Sequence, residues 1–228
     1  MFKKLNNIGD CGIIFDFGDE VNRSVNTSVI KLFHHIKKEV SKGNLDGILN
    51  YTPSYNKLII NCDVRKTNSS KIMDFLKSVE FSKLNISQNS KKWTIPVCYV
   101  FEMDLGNISR TLTMNKNEMI NVHLNTDFFV YMVGFLPGHP FMGDLNSKLF
   151  LNRLKTPRVK IPPDLVRSVE KFCYIYPDES PGRWKIIRRT LIKLFNTNDN
   201  SNPCLLSPGD SVKFKSISKE EFEQLVNE

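Results

Sequence analysis

Three Pro-Gly pairs divide the second half of this chain into short pieces: Pro137-Gly138, Pro181-Gly182 and Pro208-Gly209. Each suits a type II turn, because proline presets φ at the second residue and glycine tolerates positive φ at the third. The strand-like stretches around them are brief, at 128–133, 172–177, 184–189 and 211–217. Short strands at that spacing argue for a β-barrel-like domain. Ser218 and Glu221 then form a capping box ahead of a closing helix that carries Phe222 and Leu225.

The first part of the chain follows other periods. Residues 11–17 suit a strand ended by Gly18-Asp19. From Arg23 to Lys42, Val25, Val29, Leu32, Phe33, Ile36 and Val40 recur at helical spacing, and Gly43 stands where a helix stops. Two strands, 47–52 and 57–62, flank Pro53-Ser54, and a second helix is predicted over 70–79. The order β-α-β-β-α gives an α+β lobe over residues 1–84. A Ser-, Asn- and Lys-rich linker follows at 85–92, then a second domain over 93–228. That domain opens with a strand at 93–100 and two short helices near 105–113 and 116–124, the latter capped by Asn115 with Glu118.

A length of 228 residues suits one large domain or two modest ones. Hydrophobic residues at 40% and charged residues at 25% fit a folded globular protein. No apolar run reaches the roughly 18–20 residues that span a bilayer, so no membrane association is expected. No apolar segment follows the basic start, which argues against a signal peptide. Five scattered cysteines without a C-x-x-C pair read as reduced thiols of a cytoplasmic protein, with no zinc site. The net charge of +8 concentrates between Arg153 and Lys193, where eleven basic residues meet four acidic ones. Such a stretch suits an anionic ligand or an acidic partner, and also an ordinary solvated strand face. Nucleic acid is not expected, because no helix-turn-helix, zinc finger or aromatic RNA-binding motif accompanies the charge.

Gly134 to Gly143 reads Gly-Phe-Leu-Pro-Gly-His-Pro-Phe-Met-Gly. Glycine and proline at this density fix tight turns and expose main-chain N–H groups that can hold an oxyanion, although a structural turn uses the same residues. His123 on the helix before the loop and His139 within it are candidates for proton transfer. Arg158 and Arg189 are candidates to grip an anion bidentately. No Walker loop, G-x-S-x-G elbow or dinucleotide fingerprint is present.

Several ordered segments together carry a resemblance. They are Ile8-Gly9-Asp10, Phe15-Asp16-Phe17-Gly18-Asp19, Tyr51-Thr52-Pro53-Ser54-Tyr55, Ile95-Pro96-Val97-Cys98-Tyr99, the 134–143 loop, Leu154 to Val159, Ile175-Tyr176-Pro177, Ser180-Pro181-Gly182, Arg189-Thr190 and Leu206 to Asp210. Over nearly its whole length the chain resembles the carboxyltransferase subdomain C/D family. That family holds the B-type subunit of 5-oxoprolinase, the kinase-inhibitor protein of the sporulation pathway and allophanate hydrolase subunit 1. The resemblance implies an N-terminal α/β lobe and a C-terminal cyclophilin-like β-barrel. It implies the small subunit of an ATP-dependent 5-oxoprolinase that opens 5-oxoproline to L-glutamate. Partners would be the larger, C-type subunit of 5-oxoprolinase and a lactam-utilisation subunit, with ATP consumed in the complex at no site identifiable here. His123 would transfer protons. Gly134, Phe135, Pro137, Gly138, His139, Arg158 and Arg189 would bind a small anionic substrate. The same family implies two alternatives, inhibition of a sensor histidine kinase and hydrolysis of an allophanate-like amide.

The departures lie in one region. The family carries Ala-Gly-Ser-Val-Gly-Ile-Ala-Gly-x-Gln-Thr-Gly where this chain has Pro163 to Tyr174. All four glycines are replaced there, and Arg183 and Arg188 stand where glycine is usual. His139 replaces an aromatic residue, and Leu191 a proline. The expected pocket is narrower and more basic than the family's.

Overall fold

The computed structural model describes residues 4–84, 90–100 and 103–226. It divides into two compact units, Met1–Asn89 and Ser90–Glu228. Residues 85–89 of the expected linker lie outside the described residues.

The first unit is a four-stranded antiparallel sheet with helices. Its elements are β1 (Lys4–Ile8), β2 (Gly12–Asp16), α1 (Arg23–Ser41), β3 (Ile48–Pro53), β4 (Lys57–Cys62) and α2 (Ser69–Ser78), and the sheet order is β1-β2-β4-β3. In β4, alternate residues Leu58, Ile60 and Cys62 are buried, the period a half-covered strand requires. They meet Val29, Leu32 and Ile36 of α1 in one core. The Asn22 side chain caps α1 by accepting from the Val25 amide, and Gly43 at φ 76 ends it. Asn26, fully buried, donates to the carbonyls of Ser54 and Tyr55 and so ties α1 to the β3–β4 hairpin.

The second unit contains β5 (Lys92–Val97), α3 (Leu105–Leu112), α4 (Lys116–Leu124), β6 (Phe128–Val133), β7 (Pro140–Gly143), β8 (Arg158–Ile161), β9 (Leu165–Val169), β10 (Phe172–Ile175), β11 (Ser180–Gly182), β12 (Lys185–Arg189), β13 (Ser211–Ser216) and α5 (Lys219–Val226). Seven strands form one sheet in the order β12-β9-β10-β7-β6-β13-β5. The two end strands meet through paired main-chain bonds, Cys98 N–H to the Arg189 carbonyl at 2.8 Å and the reverse at 3.1 Å. The sheet is thereby a barrel, as the short strands lead one to expect. β8 and β11 pair only with each other, as a separate two-stranded ribbon.

The turn at Pro137-Gly138 forms as read: Gly138 has φ 73, and the His139 amide bonds the Leu136 carbonyl at 3.1 Å. Pro208-Gly209 does the same, with φ 97 at Gly209 and the Asp210 amide on the Ser207 carbonyl. Pro181-Gly182 does not. Both residues lie in β11, and Gly182 pairs with Arg158 of β8 instead of turning the chain. A Cβ on this glycine would sit 2.7 Å from Nη1 of Arg167 and would displace the guanidinium.

Candidate functional site

Alternation along β9 sends Val166 and Ser168 into the barrel and Arg167 and Val169 outward. Two separate groups of polar side chains result, one on each side of the wall.

The inner group centres on Arg188. It pairs across with Val166 and is fully buried. Its guanidinium lies 3.7 Å from the centre of the Phe214 ring. Nη1 donates to the Tyr99 hydroxyl at 3.0 Å and to Nδ1 of His123, and Nη2 points to the Cys173 sulfur at 3.9 Å. Nε has no partner among the described residues. His123 is likewise fully buried, held by α4 against Phe128 and Phe214. The hollow beside it, lined by Leu105, Ile108, Met119, Leu149 and Ile187, has no room for a water molecule. Burial holds the imidazole well below its usual pKa, and the neighbouring Arg188 charge adds to the effect. Burial also pushes the Cys173 thiol up to about 11 and raises the Tyr99 phenol. At neutral pH the inner group is one cation among three neutral side chains, with no activated nucleophile. His123, expected as the proton-transfer residue, is here a packed interior residue that only an opened barrel would bring to a substrate.

The outer group lies under the 134–143 loop. His139 is fully buried, with its ring 4.6 Å from Tyr176 and stacked towards Tyr174 and Trp184. Its Nδ1 faces the Gly134 carbonyl at 3.3 Å, while Nε2 has no partner among the described residues. Burial pushes its pKa down to about 4, against the pull of the Gly134 carbonyl and with the help of Arg167. Arg167 lies beyond, its guanidinium 3.8 Å from the centre of the Tyr176 ring. The loop's own amides are partly spent: Gly134 N–H bonds the His139 carbonyl, and His139 N–H the Leu136 carbonyl. Pro137 sits inside that turn. Phe135, at φ 72, is 71% exposed and therefore lines no buried pocket.

The two expected anion-binding arginines are placed elsewhere. Arg158 forms a bidentate pair with Asp104, at 2.8 and 2.5 Å, and is not free to grip a substrate. Burial opposes the Asp104 charge, yet the Arg158 bonds and the Ile186 amide outweigh it and hold its carboxyl below the usual value. Arg189 closes the barrel through its main chain, with its guanidinium 5.8 Å from the Phe222 ring. The structure thus does not gather His123, His139, Arg158 and Arg189 into one site. Residue type alone does not single out Arg167, and it marks Arg188 only as an arginine in a glycine's place. The signal is nevertheless there, since each arginine replaces a family glycine and must fill space that glycine leaves.

An open groove elsewhere, about 700 Å³, is lined by Asn115, Asn121, Asn125, Asn146, Glu118 and Lys148. One cation and one carboxylate among asparagines do not make a phosphate cradle. No group of His, Cys, Asp and Glu suited to a metal occurs among the described residues, and no described helix is long and apolar enough to cross a membrane.

Residues 3–206 match the family described as carboxyltransferase domain, subdomain C and D, and the chain belongs to that family. It is 30% identical over 232 residues to the B-type subunit of 5-oxoprolinase from Bacillus subtilis, covering 96% of this chain and 95% of the relative. It is 37% identical over 122 residues to the corresponding 5-oxoprolinase subunit of Haemophilus influenzae, covering 53% of this chain and 57% of the relative. Among solved structures it superposes on TTHA0988 with a TM-score of 0.80 and 26% identity, over 91% of this chain but only 40% of that one. On the Kluyveromyces lactis urea amidolyase the TM-score is 0.73 at 20% identity, over 98% of this chain and 15% of that enzyme, a likeness of fold alone.

Proposed function

We propose that this chain is the small subunit of an ATP-dependent amide hydrolase, with 5-oxoproline as substrate and L-glutamate as product. The observation that carries the reading is the end-to-end likeness to the B-type subunit of Bacillus subtilis 5-oxoprolinase, 30% identical across 96% of this chain and 95% of that relative. Ring opening breaks the lactam C–N bond, and water supplies the oxygen of the new carboxylate. The reaction needs an activated carbonyl and a proton for the leaving nitrogen. Neither the inner nor the outer group of this chain supplies an accessible charged acid–base pair. Activation and ATP consumption therefore fall to the larger, C-type partner and the lactam-utilisation subunit, and this chain contributes binding and positioning. Reconstitution of the three subunits tests this. ATP-dependent glutamate formation should collapse when this chain is left out, and undiminished turnover without it would sink the proposal. Replacing 5-oxoproline by allophanate in the same assay separates the two amide substrates.

The filled barrel favours one second reading. A protein that only binds another has no need of an open pocket, and Arg188 closes this one. Inhibition of a sensor histidine kinase is then the alternative, and it predicts slowed autophosphorylation of a kinase recovered with this chain. Recovery of the larger family subunit with no kinase would count against it.

A further inference from the structure

Arg167 is fully buried, and none of its three guanidinium nitrogens has a hydrogen-bond partner among the described residues. Its guanidinium lies over the face of Tyr176, 3.8 Å from the ring centre. Burial lowers its pKa only to about 10, so it is charged at neutral pH. A buried cation without a counter-charge costs several kcal/mol, and native proteins satisfy such groups. Asp104, the carboxylate that acts on it from a distance, is already taken by Arg158. A second orphan, the buried Nε2 of His139, belongs to a ring that also packs against Tyr176.

We infer that Arg167 and His139 form a site for a small organic monocarboxylate on the outer wall of the barrel. The charge fixes the class. One cation beside a neutral imidazole balances a single negative charge, whereas a phosphate dianion would leave one in excess. The planar fork of Arg167 matches the two oxygens of a carboxylate, and Nε2 of the imidazole can supply a third polar contact. The surrounding side chains are aromatic, with Trp184 packed on Tyr174 at 4.2 Å and against Tyr176 at 5.5 Å, which suits an acid with a flat, apolar body. Access lies at Gly182. This residue of the β8–β11 ribbon covers Nη1 and leaves no space for a side chain. The two strands of this ribbon pair only with each other, so lifting it breaks the Arg158–Asp104 pair and uncovers Ile161 but breaks no strand pairing of the barrel. The inference goes beyond the hydrolase reading and is tested on the isolated chain, so either can fail without the other.

Calorimetric titration of the full chain at constant ionic strength provides the test, with benzoate as probe and benzamide and inorganic phosphate as controls. Benzoate should bind saturably with Kd of about 1 mM or tighter, and benzamide and phosphate should bind at least tenfold more weakly. Arg167→Met should weaken benzoate at least tenfold while its thermal midpoint stays level or rises, because an uncompensated charge is removed. Gly182→Ala alters no charge and should also weaken binding by displacing the guanidinium. Equal benzoate affinity in wild type and Arg167→Met would overturn the site. No saturable benzoate binding at ten times that concentration would do the same, and tighter binding of phosphate would overturn the ligand class.

Discussion

Asp164 and Glu170 record what the chain has done to its family's glycines. Both keep positive φ, at 66 and 51, where the family carries glycine. Aspartate tolerates that region; glutamate does so at a cost of about 1 kcal/mol. Val169 and Phe172 pair directly across Glu170-Lys171. Only the first of those two turn residues has positive φ, the position where a two-residue hairpin prefers glycine. Glu170→Gly is expected to stabilise the chain by no more than about 0.5 kcal/mol in urea denaturation, the relief of strain less the added freedom of the unfolded chain. The buried arginines behave differently, because they fill volume. Arg188→Met should alter stability by no more than about 1 kcal/mol, since a hydrophobe of similar size replaces a desolvated charge. A loss above about 3 kcal/mol would mean that the Tyr99 and His123 contacts stabilise more than burial costs.

At the scale of elements, the Arg158–Asp104 pair links β8 to the start of α3, where Asp104 also receives the Ile186 amide of β12. Arg158→Met leaves Asp104 without its cation and should cost roughly 2–4 kcal/mol. The pair also sets an acid limit. Asp104 has a depressed folded pKa, so its contribution is present above the unfolded value near 4 and is lost as pH falls through the folded one. Denaturation midpoints measured between pH 5 and 2 should fall steeply in the wild type and less so in Arg158→Met. Legibility in the sequence follows the same elements. α1 is readable because its apolar residues repeat and both ends are capped; β4 because burial alternates. β1 is not, since four of its five residues are exposed and its pattern carries no period. β11 reads as a turn because Pro-Gly ordinarily turns the chain, whereas here glycine makes room for Arg167. Residue type marks His123 and Arg158 as chemistry, and only the fold shows that one is walled in and the other already paired.

Across the whole molecule, the family barrel is kept while its interior is closed and an unpaired cation appears on its outer wall. That arrangement predicts a second, milder acid response. His123 and His139 have folded pKa values below the unfolded value near 6.5, so the unfolded chain binds more protons as pH falls. Both therefore take stability away as pH falls from 7 to 5, and His139, with a folded value of about 4, accounts for roughly 2 kcal/mol of the loss. The most direct test of the closed interior is a histidine-selective nitrogen-15 NMR titration over that range, with resonances assigned by single substitutions. His123 and His139 are predicted to remain neutral throughout. Protonation of His123 with a midpoint near 6.5 would show an imidazole open to water and would contradict the closed barrel.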